Sequence, residues 1–393
     1  MKAVGIIAEY NPFHTGHAYH IAATRQQVGE SKGIICVMSG NWVQRGECAV
    51  TDKWTRSSMA LRGGADLVLE LPLPWAISSA ERFAQGGVAA LKATGVVDTI
   101  SFGSESGKTE ELCKIAQVFE TSSFENTLKE KLSKGISFAA ARQEAVLKLV
   151  GSMGKLLLDP NDNLGVEYIR AAGKELAAIA IPRQGTAHDS ACPTEGFASA
   201  SHLRRLAREQ KWEAMSSRVE QEDLRSLKDA GVSDMSYVER AMLARLRQMD
   251  EQDFAALPDS GSAEGLPTRL MRAAKTAGSL EEFYTQAKTK RYAHSRIRRL
   301  ALWAFLNMTE TDRPQKPSYL RVLGFNARGR ELLKELKTAA ALPVLTKPAH
   351  IKELPAEARQ LFALECRATD LFGLCFEASK PAGLELITTP IFQ

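Results

Sequence analysis

The chain has 393 residues, enough for two or three domains, since a typical domain holds about 100 to 200 residues. Its hydrophobic share of 44% and charged share of 25% are those of an ordinary soluble globular protein. No apolar run reaches the ~18 residues of a membrane span, and no signal-peptide pattern precedes the first strand. The six cysteines include no C-x-x-C pair, so we expect free thiols in the cytoplasm. The net charge of +5 permits a nucleic-acid partner without requiring one.

The first candidate site follows an apolar run at residues 4–8, which breaks at Asn11-Pro12 and leads to His14 and His17. This pattern predicts a strand, a turn and the start of a helix. The N-terminus of a helix offers unpaired N–H groups and a partial positive charge, which suit a phosphate. Two imidazoles add further donors, and Gly16 between them lets a ligand lie against the backbone. The motif therefore predicts a nucleotide-phosphate site.

A metal pair is the competing interpretation, because His14 and His17 are spaced to share one face of a helix. No cysteine or carboxylate stands at a metal-ligand interval nearby, which disfavours zinc. An ordinary structural role for the two histidines is the third possibility. We favour the phosphate site and predict no metal ligand.

Residues 11–17 resemble the H-x-G-H signature of the nucleotidyltransferase superfamily, whose members transfer or activate groups on the α-phosphate of ATP. The longer run at residues 9–17 is similar to one branch, the bacterial tRNA(Met) cytidine acetate ligases. Most of the superfamily has Asp before the proline, whereas Asn11 fits the ligase branch. The resemblance implies catalytic roles for His14 and His17. It also implies ATP binding by a set of neighbours: Ile7, Ala8, Glu9, Tyr10, Asn11, Pro12, Phe13, Thr15, Gly16 and His20.

Strand and helix patterns alternate along the first half of the chain, which is typical of a parallel sheet. Together with the resemblance, they predict an α/β fold: a doubly wound parallel-sheet, Rossmann-like nucleotidyltransferase domain of the H-x-G-H type. Asp66 and Glu70 flank the third strand, where carboxylates more often cap or form salt bridges than do acid–base work. The later strands of this sheet are predicted at residues 33–40, 65–72, 99–107 and 176–183.

Polar residues follow these strands at their carboxyl ends, the edge at which open α/β sheets bind ligands. Gln44, Arg45 and Glu47 after the second strand either reach a substrate or belong to a solvated connection. Gly103 and Ser104 after the fourth would let an adenine or a ribose pack on bare backbone. A plain turn also explains the glycine.

Three further candidate ATP contacts lie downstream. The resemblance places a Pro-Asn-Asn-x-Leu-Gly run near residue 160, and its first Asn, an ATP contact, matches Asn161, whereas Asp162 departs from the second. A fifth strand leads into Arg183 and Gln184, and an arginine at a strand's end can lie near a phosphate.

Residues 199–204, Ser-Ala-Ser-His-Leu-Arg, form the second signature. Ser199 and Ser201 precede a helix and Arg204 lies one turn inside it, so two hydroxyls and a guanidinium could surround a triphosphate. By itself the pattern indicates only a capped helix with a surface arginine. With the first motif, it resembles the I-S-S-T-x-x-R element of nucleotidyltransferases, which implies ATP binding by the two serines and a catalytic role for Arg204.

Beyond about residue 211 the pattern becomes mostly helical, so we predict an ATP-binding catalytic domain at 1–212 and a mostly α-helical, basic domain at 213–393. In its residues 288–299, six of twelve are Lys or Arg and none is acidic. This composition favours contact with the phosphates of an RNA over a merely solvated helix face. The candidate RNA-binding residues are Lys288, Lys290, Arg291, Arg296, Arg298 and Arg299.

The resemblance implies a complete reaction: ATP-dependent ligation of acetate to the N4 amine of the wobble cytidine of elongator tRNA(Met), through acetyl-adenylate. ATP is a substrate, Mg²⁺ is expected with it, and the partners are tRNA(Met) and acetate. Two other classes stay open: a small-molecule adenylyltransferase, and a non-catalytic RNA-binding protein on a nucleotide-binding fold. The basic second domain argues against the first, and the two nucleotide motifs argue against the second.

Overall fold

A mixed, mostly parallel sheet lies at the centre of the computed structural model, which describes residues 2–183, 200–261, 265–289 and 292–393. Its eight strands lie in the order β10-β8-β5-β2-β1-β6-β7, with β9 paired to β8, while β3 and β4 form a separate hairpin. The strands are β1 (Ala3–Ala8), β2 (Gly33–Ser39), β3 (Trp42–Val43), β4 (Glu47–Cys48), β5 (Leu67–Leu71), β6 (Val97–Ser104), β7 (Ala177–Pro182), β8 (Leu320–Phe325), β9 (Val344–Leu345) and β10 (Ile391–Phe392).

Apolar residues cover both faces of this sheet. All seven residues of β2 are buried. Its alternate side chains belong to two core clusters, with Ile35 and Val37 in one and Ile34 and Cys36 in the other. Successive side chains of a strand point to opposite faces, so a continuous apolar run is needed when helices cover both. The doubly wound α/β fold is confirmed.

One part of the sheet differs from the sequence prediction. The strands β1, β2, β5, β6 and β7 pair in parallel as expected, but β8 runs antiparallel to β5. An antiparallel strand at one side of a mostly parallel sheet is common. The apolar run of β8 predicts a buried strand but carries no information on its direction.

Helices fill the segments between the strands and most of the chain after β7. Many begin at a side chain that caps the backbone, as Asp52 does for α2 by accepting a hydrogen bond from the Thr55 N–H at 2.9 Å. The helices are α1 (Thr15–Val28), α2 (Lys53–Arg62), α3 (Leu73–Ala76), α4 (Ala80–Ala93), α5 (Thr109–Val118), α6 (Ser122–Ser133), α7 (Phe138–Val150), α8 (Pro160–Ala172), α9 (Ala200–Arg208), α10 (Trp212–Met215), α11 (Gln221–Ala230), α12 (Glu239–Gln248), α13 (Glu251–Ala255), α14 (Leu266–Thr276), α15 (Leu280–Ala287), α16 (His294–Phe305), α17 (Ala327–Ala339), α18 (Ala356–Phe372) and α19 (Leu384–Ile387).

None of these described helices is long and apolar enough to cross a membrane. The division of the chain at residue 212 stays a prediction. The central sheet nevertheless takes strands from both sides of that boundary, because β8 pairs with β5 and β10 pairs with β8.

A buried cluster of charged side chains connects α2 and β5, near the start of the chain, with α19, near its end. The ammonium group of Lys53 at the start of α2 lies 2.6 Å from carboxylate oxygens of both Glu70 in β5 and Glu385 in α19. Burial alone would lower the pKa of Lys53, but the charges of Glu385 and Glu70 raise it above its usual value. Glu70 therefore has the salt-bridging role that its place in a strand suggested, and Asp66 likewise pairs with Arg25 at 3.0 Å.

We expect Lys53→Met to lower the free energy of unfolding by about 3–5 kcal/mol, because it leaves the buried Glu70 without its ion-pair partner and Glu385 with only the more distant Arg321, at 3.6 Å. Urea denaturation would measure this change. The matched control is Lys92→Met, because Lys92 pairs at 2.6 Å with Glu175, whose side chain is 72% exposed. That pair should contribute less than about 1 kcal/mol. Equal stability of the two variants would contradict a structural role for the cluster.

Candidate functional site

A cavity of about 260 Å³ lies at the carboxyl ends of β1, β6 and β7. This is the edge at which an open α/β sheet binds its ligands. The walls come from the turn after β1, the first two turns of α1, the hairpin between β3 and β4, and the starts of α8 and α9. Its lining comprises Ile6, Ile7, Ala8, Glu9, Tyr10, Asn11, His14, Gly16, His17, Tyr19, His20, Gln44, Arg45, Phe83, Phe102, Gly103, Asn161, Leu164, Tyr168, Ile181, Pro182, Arg183, Ala200, Ser201 and Arg204.

The two histidines of the first motif stack at the N-terminus of α1. Their ring centroids lie 3.8 Å apart with an interplanar angle of 28°, and the Tyr10 ring packs edge-on against His17 at 4.9 Å. His14 is the N-cap residue, and its Nδ1 accepts a hydrogen bond from the Gly16 N–H at 3.0 Å. An acceptor Nδ1 carries no proton, so the neutral ring presents its N–H at Nε2.

All three histidines of this wall are neutral at physiological pH. Burial and the nearby charge of Arg183 lower the pKa of His14 to about 3 and that of His20 to about 4. Burial, followed by the charges of His14 and Arg183, also lowers the pKa of His17 well below its ordinary value. His20 Nε2 lies 3.0 Å from Ser101 Oγ. The wall therefore offers neutral donors whose stabilising effect grows as negative charge develops on a ligand.

Arg204 of the second motif lines the same cavity and contacts the first motif. Its guanidinium donates to the backbone oxygen of Asn11 at 3.0 Å and to Ser201 Oγ at 3.3 Å, and it lies 3.2 Å from Glu47. Only 8% of the residue is exposed. Burial lowers the pKa of Arg204, but the group keeps its charge. The two sequence motifs, which stand about 190 residues apart, thus meet across one cavity.

The start of α8 forms a third part of the wall. Asn161 donates from Nδ2 to Glu105 Oε1 at 2.5 Å, and Glu105 also accepts from the Asp162 N–H at 2.9 Å. Arg183 Nη1 lies 3.4 Å from Asn161 Oδ1. Asp162, where the resemblance has Asn, accepts from the Ser104 hydroxyl and from the Ser106 N–H. This departure from the family pattern therefore serves the loop after β6.

A buried arginine holds the strand ends beside the first motif. Arg56 is fully buried, and it donates to the backbone oxygens of Glu9 at 2.6 Å, of Ser39 at 3.1 Å and of Gly40. Glu9 follows β1, Ser39 is the last residue of β2, and Gly40 comes directly after it. Because one rigid guanidinium bridges both strand ends, the turn that carries Tyr10 and Asn11 has a fixed position.

Comparisons with known proteins identify this arrangement. The family model described as HIGH Nucleotidyl Transferase matches residues 1–385. The tRNA(Met) cytidine acetate ligase of a Thermoanaerobacter species is 37% identical over 98% of each chain, and that of Syntrophomonas wolfei is 36% identical over 100% of this chain and 99% of its own. The protein belongs to the tRNA(Met) cytidine acetate ligase family.

Solved structures of this ligase family agree with the fold over its full length. The apo crystal structure of Thermotoga maritima TmcAL covers 100% of this chain with a TM-score of 0.94 and 33% identity. A second crystal form, bound with alpha-thio ATP, matches with a TM-score of 0.91 at the same identity. A member of the ligase family with this fold therefore binds an ATP analogue.

The cavity brings together most of the residues predicted for ATP. Phe13 instead packs in the core against Tyr10, with ring centroids 5.0 Å apart. Ser104 bonds to Asp162, and neither Pro12 nor Thr15 lines the cavity. Gln184 and Ser199 lie outside the described residues. The predicted residues that line the cavity are Ile7, Ala8, Glu9, Tyr10, Asn11, His14, Gly16, His17, His20, Gly103, Asn161, Arg183, Ser201 and Arg204.

The sequence reasoning missed the apolar part of the wall. Phe83, Phe102 and Tyr168 line the cavity, yet each is nearly buried and belongs to the main core cluster. Aromatic residues at helix and strand positions predict core packing, so no sequence signal separates these three from other core residues.

The side chains of the basic stretch at residues 288–299 differ in their exposure to solvent. Lys288 is exposed, and Arg298 is half-buried, with its guanidinium 5.3 Å from the centre of the Tyr284 ring. Arg296 donates to the Asp259 backbone oxygen at 3.0 Å and also packs over Tyr292. Lys290 and Arg291 lie outside the part of the chain that is described.

Arg299 does not lie on a surface that an RNA could reach. It is only 8% exposed, and its Nη1 lies 3.4 Å from the Gln44 backbone oxygen, where α16 packs against the hairpin. Burial lowers the pKa of Arg299 to about 10. The helical periodicity of α16 turns this position inward, which a count of basic residues does not reveal.

Proposed function

We infer that this protein is a tRNA(Met) cytidine acetate ligase that uses ATP. The observation that carries the proposal is the meeting of the H-x-G-H histidines and Arg204 in one cavity of a chain that matches the ligases over its full length. The bound alpha-thio ATP of the T. maritima relative supports ATP as the nucleotide. A tRNA substrate implies a cytoplasmic location.

The reaction has two steps: acetate is first activated as acetyl-adenylate, and the acetyl group is then transferred to the tRNA. A carboxylate oxygen of acetate forms a bond to the α-phosphorus of ATP, and the bond from that phosphorus to the bridging oxygen of pyrophosphate breaks. The N4 amine of the wobble cytidine in elongator tRNA(Met) then attacks the acetyl carbon. N4-acetylcytidine forms, AMP leaves, and the amine loses one proton.

The residues of the cavity suit the first step. His14 and His17 supply neutral N–H donors, and Arg204 supplies a fixed positive charge, for the negative charge that develops on the leaving pyrophosphate. Arg183 beside Asn161 extends this positive wall. Little covalent chemistry falls to the protein, so positioning of acetate against the α-phosphate provides most of the acceleration.

Mg²⁺ is part of the proposal as a partner of the triphosphate. Among the described residues, no group of three or more His, Cys, Asp or Glu side chains is arranged to hold a metal ion. The described residues therefore suit a Mg²⁺ ion that is held mainly by the phosphates of the nucleotide, as Mg²⁺ usually is. The ion would neutralise phosphate charge during the first step.

The second substrate is proposed to dock on the helical half of the chain, in the predicted domain at 213–393. The exposed Lys288 and the half-buried Arg296 and Arg298 remain as candidate phosphate contacts. With Lys290 and Arg291, they would follow the backbone of a structured RNA.

The deciding experiment incubates the full chain with ATP, Mg²⁺, labelled acetate and individual tRNAs. We expect acetate-dependent ATP–pyrophosphate exchange without tRNA, and transfer of label to elongator tRNA(Met) alone. Adenylylation of a small molecule without any tRNA acetylation would instead make the protein a small-molecule adenylyltransferase. RNA binding without ATP turnover would make it a non-catalytic RNA-binding protein.

Removing two basic side chains from the helical half should separate the two steps. We expect the double variant Lys288→Ala, Arg298→Ala to weaken tRNA(Met) binding and to reduce its salt dependence by about one unit of slope per lost phosphate contact. Acetate-dependent ATP–pyrophosphate exchange should stay at the wild-type rate. Filter binding at several salt concentrations measures the slope.

The control for this double variant is Lys334→Ala, a lysine on the exposed face of α17 that pairs with Glu331 at 2.9 Å. It should leave tRNA binding unchanged. Wild-type tRNA affinity in the double variant would place the RNA surface elsewhere on the protein.

A further inference from the structure

Two amide donors in residues that line the cavity have no acceptor. The Nδ2 atom of Asn11 and the Nε2 atom of Gln44 are both excluded from solvent, and neither finds a hydrogen-bond partner among the residues that the structure describes. Asn11 is only 3% exposed. A buried donor without a partner costs free energy, so such a group in a native structure requires an explanation.

The orientation of the Asn11 amide is fixed by a neighbour. Its Oδ1 accepts a hydrogen bond from the Val50 N–H at 2.7 Å, and a backbone N–H can only donate. The NH₂ end of the side chain must therefore point away from Val50. The main chain of Gln44 is held beside Glu9, because its backbone N–H donates to Glu9 Oε1 at 2.7 Å.

The surroundings of these donors favour an anion. Arg204 bonds to the Asn11 backbone oxygen, and both Arg204 and Arg45 lie near enough to Glu9 to stabilise its charge. Burial nevertheless raises the pKa of Glu9, which favours the uncharged carboxyl and reduces its repulsion of a second carboxylate. Asn11 and Gln44 line the same cavity as His14 and His17, the residues of the proposed phosphate site.

We propose that Asn11 Nδ2 and Gln44 Nε2 form the subsite for the carboxylate of acetate. This inference rests on the proposed ligase function. The two amides would each donate to the carboxylate and aim one of its oxygens at the α-phosphorus. That oxygen forms the new bond, and pyrophosphate leaves with the electron pair of the broken P–O bond. An amide at position 11 suits this task, whereas a carboxylate there would repel the substrate.

Two substitutions test the subsite, and one of them spares the fold. Gln44→Met removes a donor that bonds to no described residue, so thermal stability should be unchanged or higher. Asn11→Asp keeps the acceptor for Val50 and replaces the free donor with an oxygen. We expect each variant to raise the KM for acetate about ten- to a hundred-fold. The KM for ATP should be nearly unchanged in Gln44→Met, whereas the added charge of Asn11→Asp, in the set predicted for ATP, should raise it by a smaller factor than the KM for acetate. Acetate-dependent ATP–pyrophosphate exchange measures both constants.

A binding measurement makes the test independent of turnover. Saturation-transfer NMR of acetate, with a non-hydrolysable ATP analogue present, should show binding to the wild type and little binding to either variant. Gln27→Glu is the control, because it adds a charge on the exposed face of α1 about 18 Å along the helix from its start. It should behave as the wild type in every measurement.

The remaining outcomes each overturn a distinct statement. Unchanged acetate binding and KM in both variants would exclude the subsite. A rise in the KM for ATP with no change for acetate would assign the donors to the nucleotide. If the wild type bound acetate and the variants did not, but the wild type showed no exchange activity, the subsite would stand and the ligase function would be overturned.

Discussion

His17→Ala should lower the rate of acetate-dependent ATP–pyrophosphate exchange by about 10²–10³-fold, the loss typical for one donor that stabilises transition-state charge. The ring stacks on His14 at 3.8 Å and packs on Tyr10. Because its pKa is held far below neutrality, the ring acts as an uncharged donor, and the rate should not fall as pH rises from 6 to 8 through loss of an imidazolium proton. Steady-state exchange over this pH range measures both effects.

The variant loses the ring contacts of His17 but no hydrogen bond at Nδ1, which has no partner among the described residues, so we expect a modest loss of stability and a folded protein. The matched control is His350→Ala, which removes an exposed histidine far along the chain and should leave exchange unchanged. A tRNA(Met) affinity near that of the wild type would confine the effect to the adenylate step. Full exchange activity in His17→Ala would remove the first motif from the catalytic machinery.

The sequence was most informative where a pattern follows directly from backbone geometry. The apolar runs predicted β1, β2, β5, β6 and β7 and the edge of the sheet that binds ligands, and the two motifs predicted which residues meet there. Strand direction is a tertiary property, so the antiparallel β8 was not predictable from its own residues. The chain ends with α18, α19 and β10, and a strand of only two residues is too short to leave a pattern in the sequence.

Side-chain partners were the least predictable part of the site. Sequence suggested that Arg204 faces a triphosphate, but nothing in the local pattern showed its pairing with Glu47 in the hairpin. Likewise, Arg56 and Arg299 appear as surface charges in a sequence, and each is buried against backbone oxygens. Such contacts depend on elements that are distant in the chain, and charge type alone does not identify them.

Arg204→Ala should abolish adenylate formation and also destabilise the protein. The guanidinium is nearly buried between Glu47 and the Asn11 backbone oxygen, so its removal leaves a carboxylate and a carbonyl without their donor. Breaking a buried ion pair from one side costs about 3–5 kcal/mol. We expect this cost at its lower end, because 14% of the Glu47 side chain is exposed. Urea denaturation and pyrophosphate exchange measure the two effects separately.

A second substitution distinguishes a catalytic from a structural arginine. In the double variant Arg204→Ala, Glu47→Gln, the carboxylate that lost its partner becomes an uncharged amide, so much of the lost stability should return. Exchange activity should stay absent, because the positive charge facing the triphosphate is still missing. If activity returned together with stability, Arg204 would serve only to hold the hairpin. If neither returned, the coupling between Arg204 and Glu47 would be smaller than their 3.2 Å separation implies. Stability without activity would show that the pair orients a charge that the leaving pyrophosphate requires.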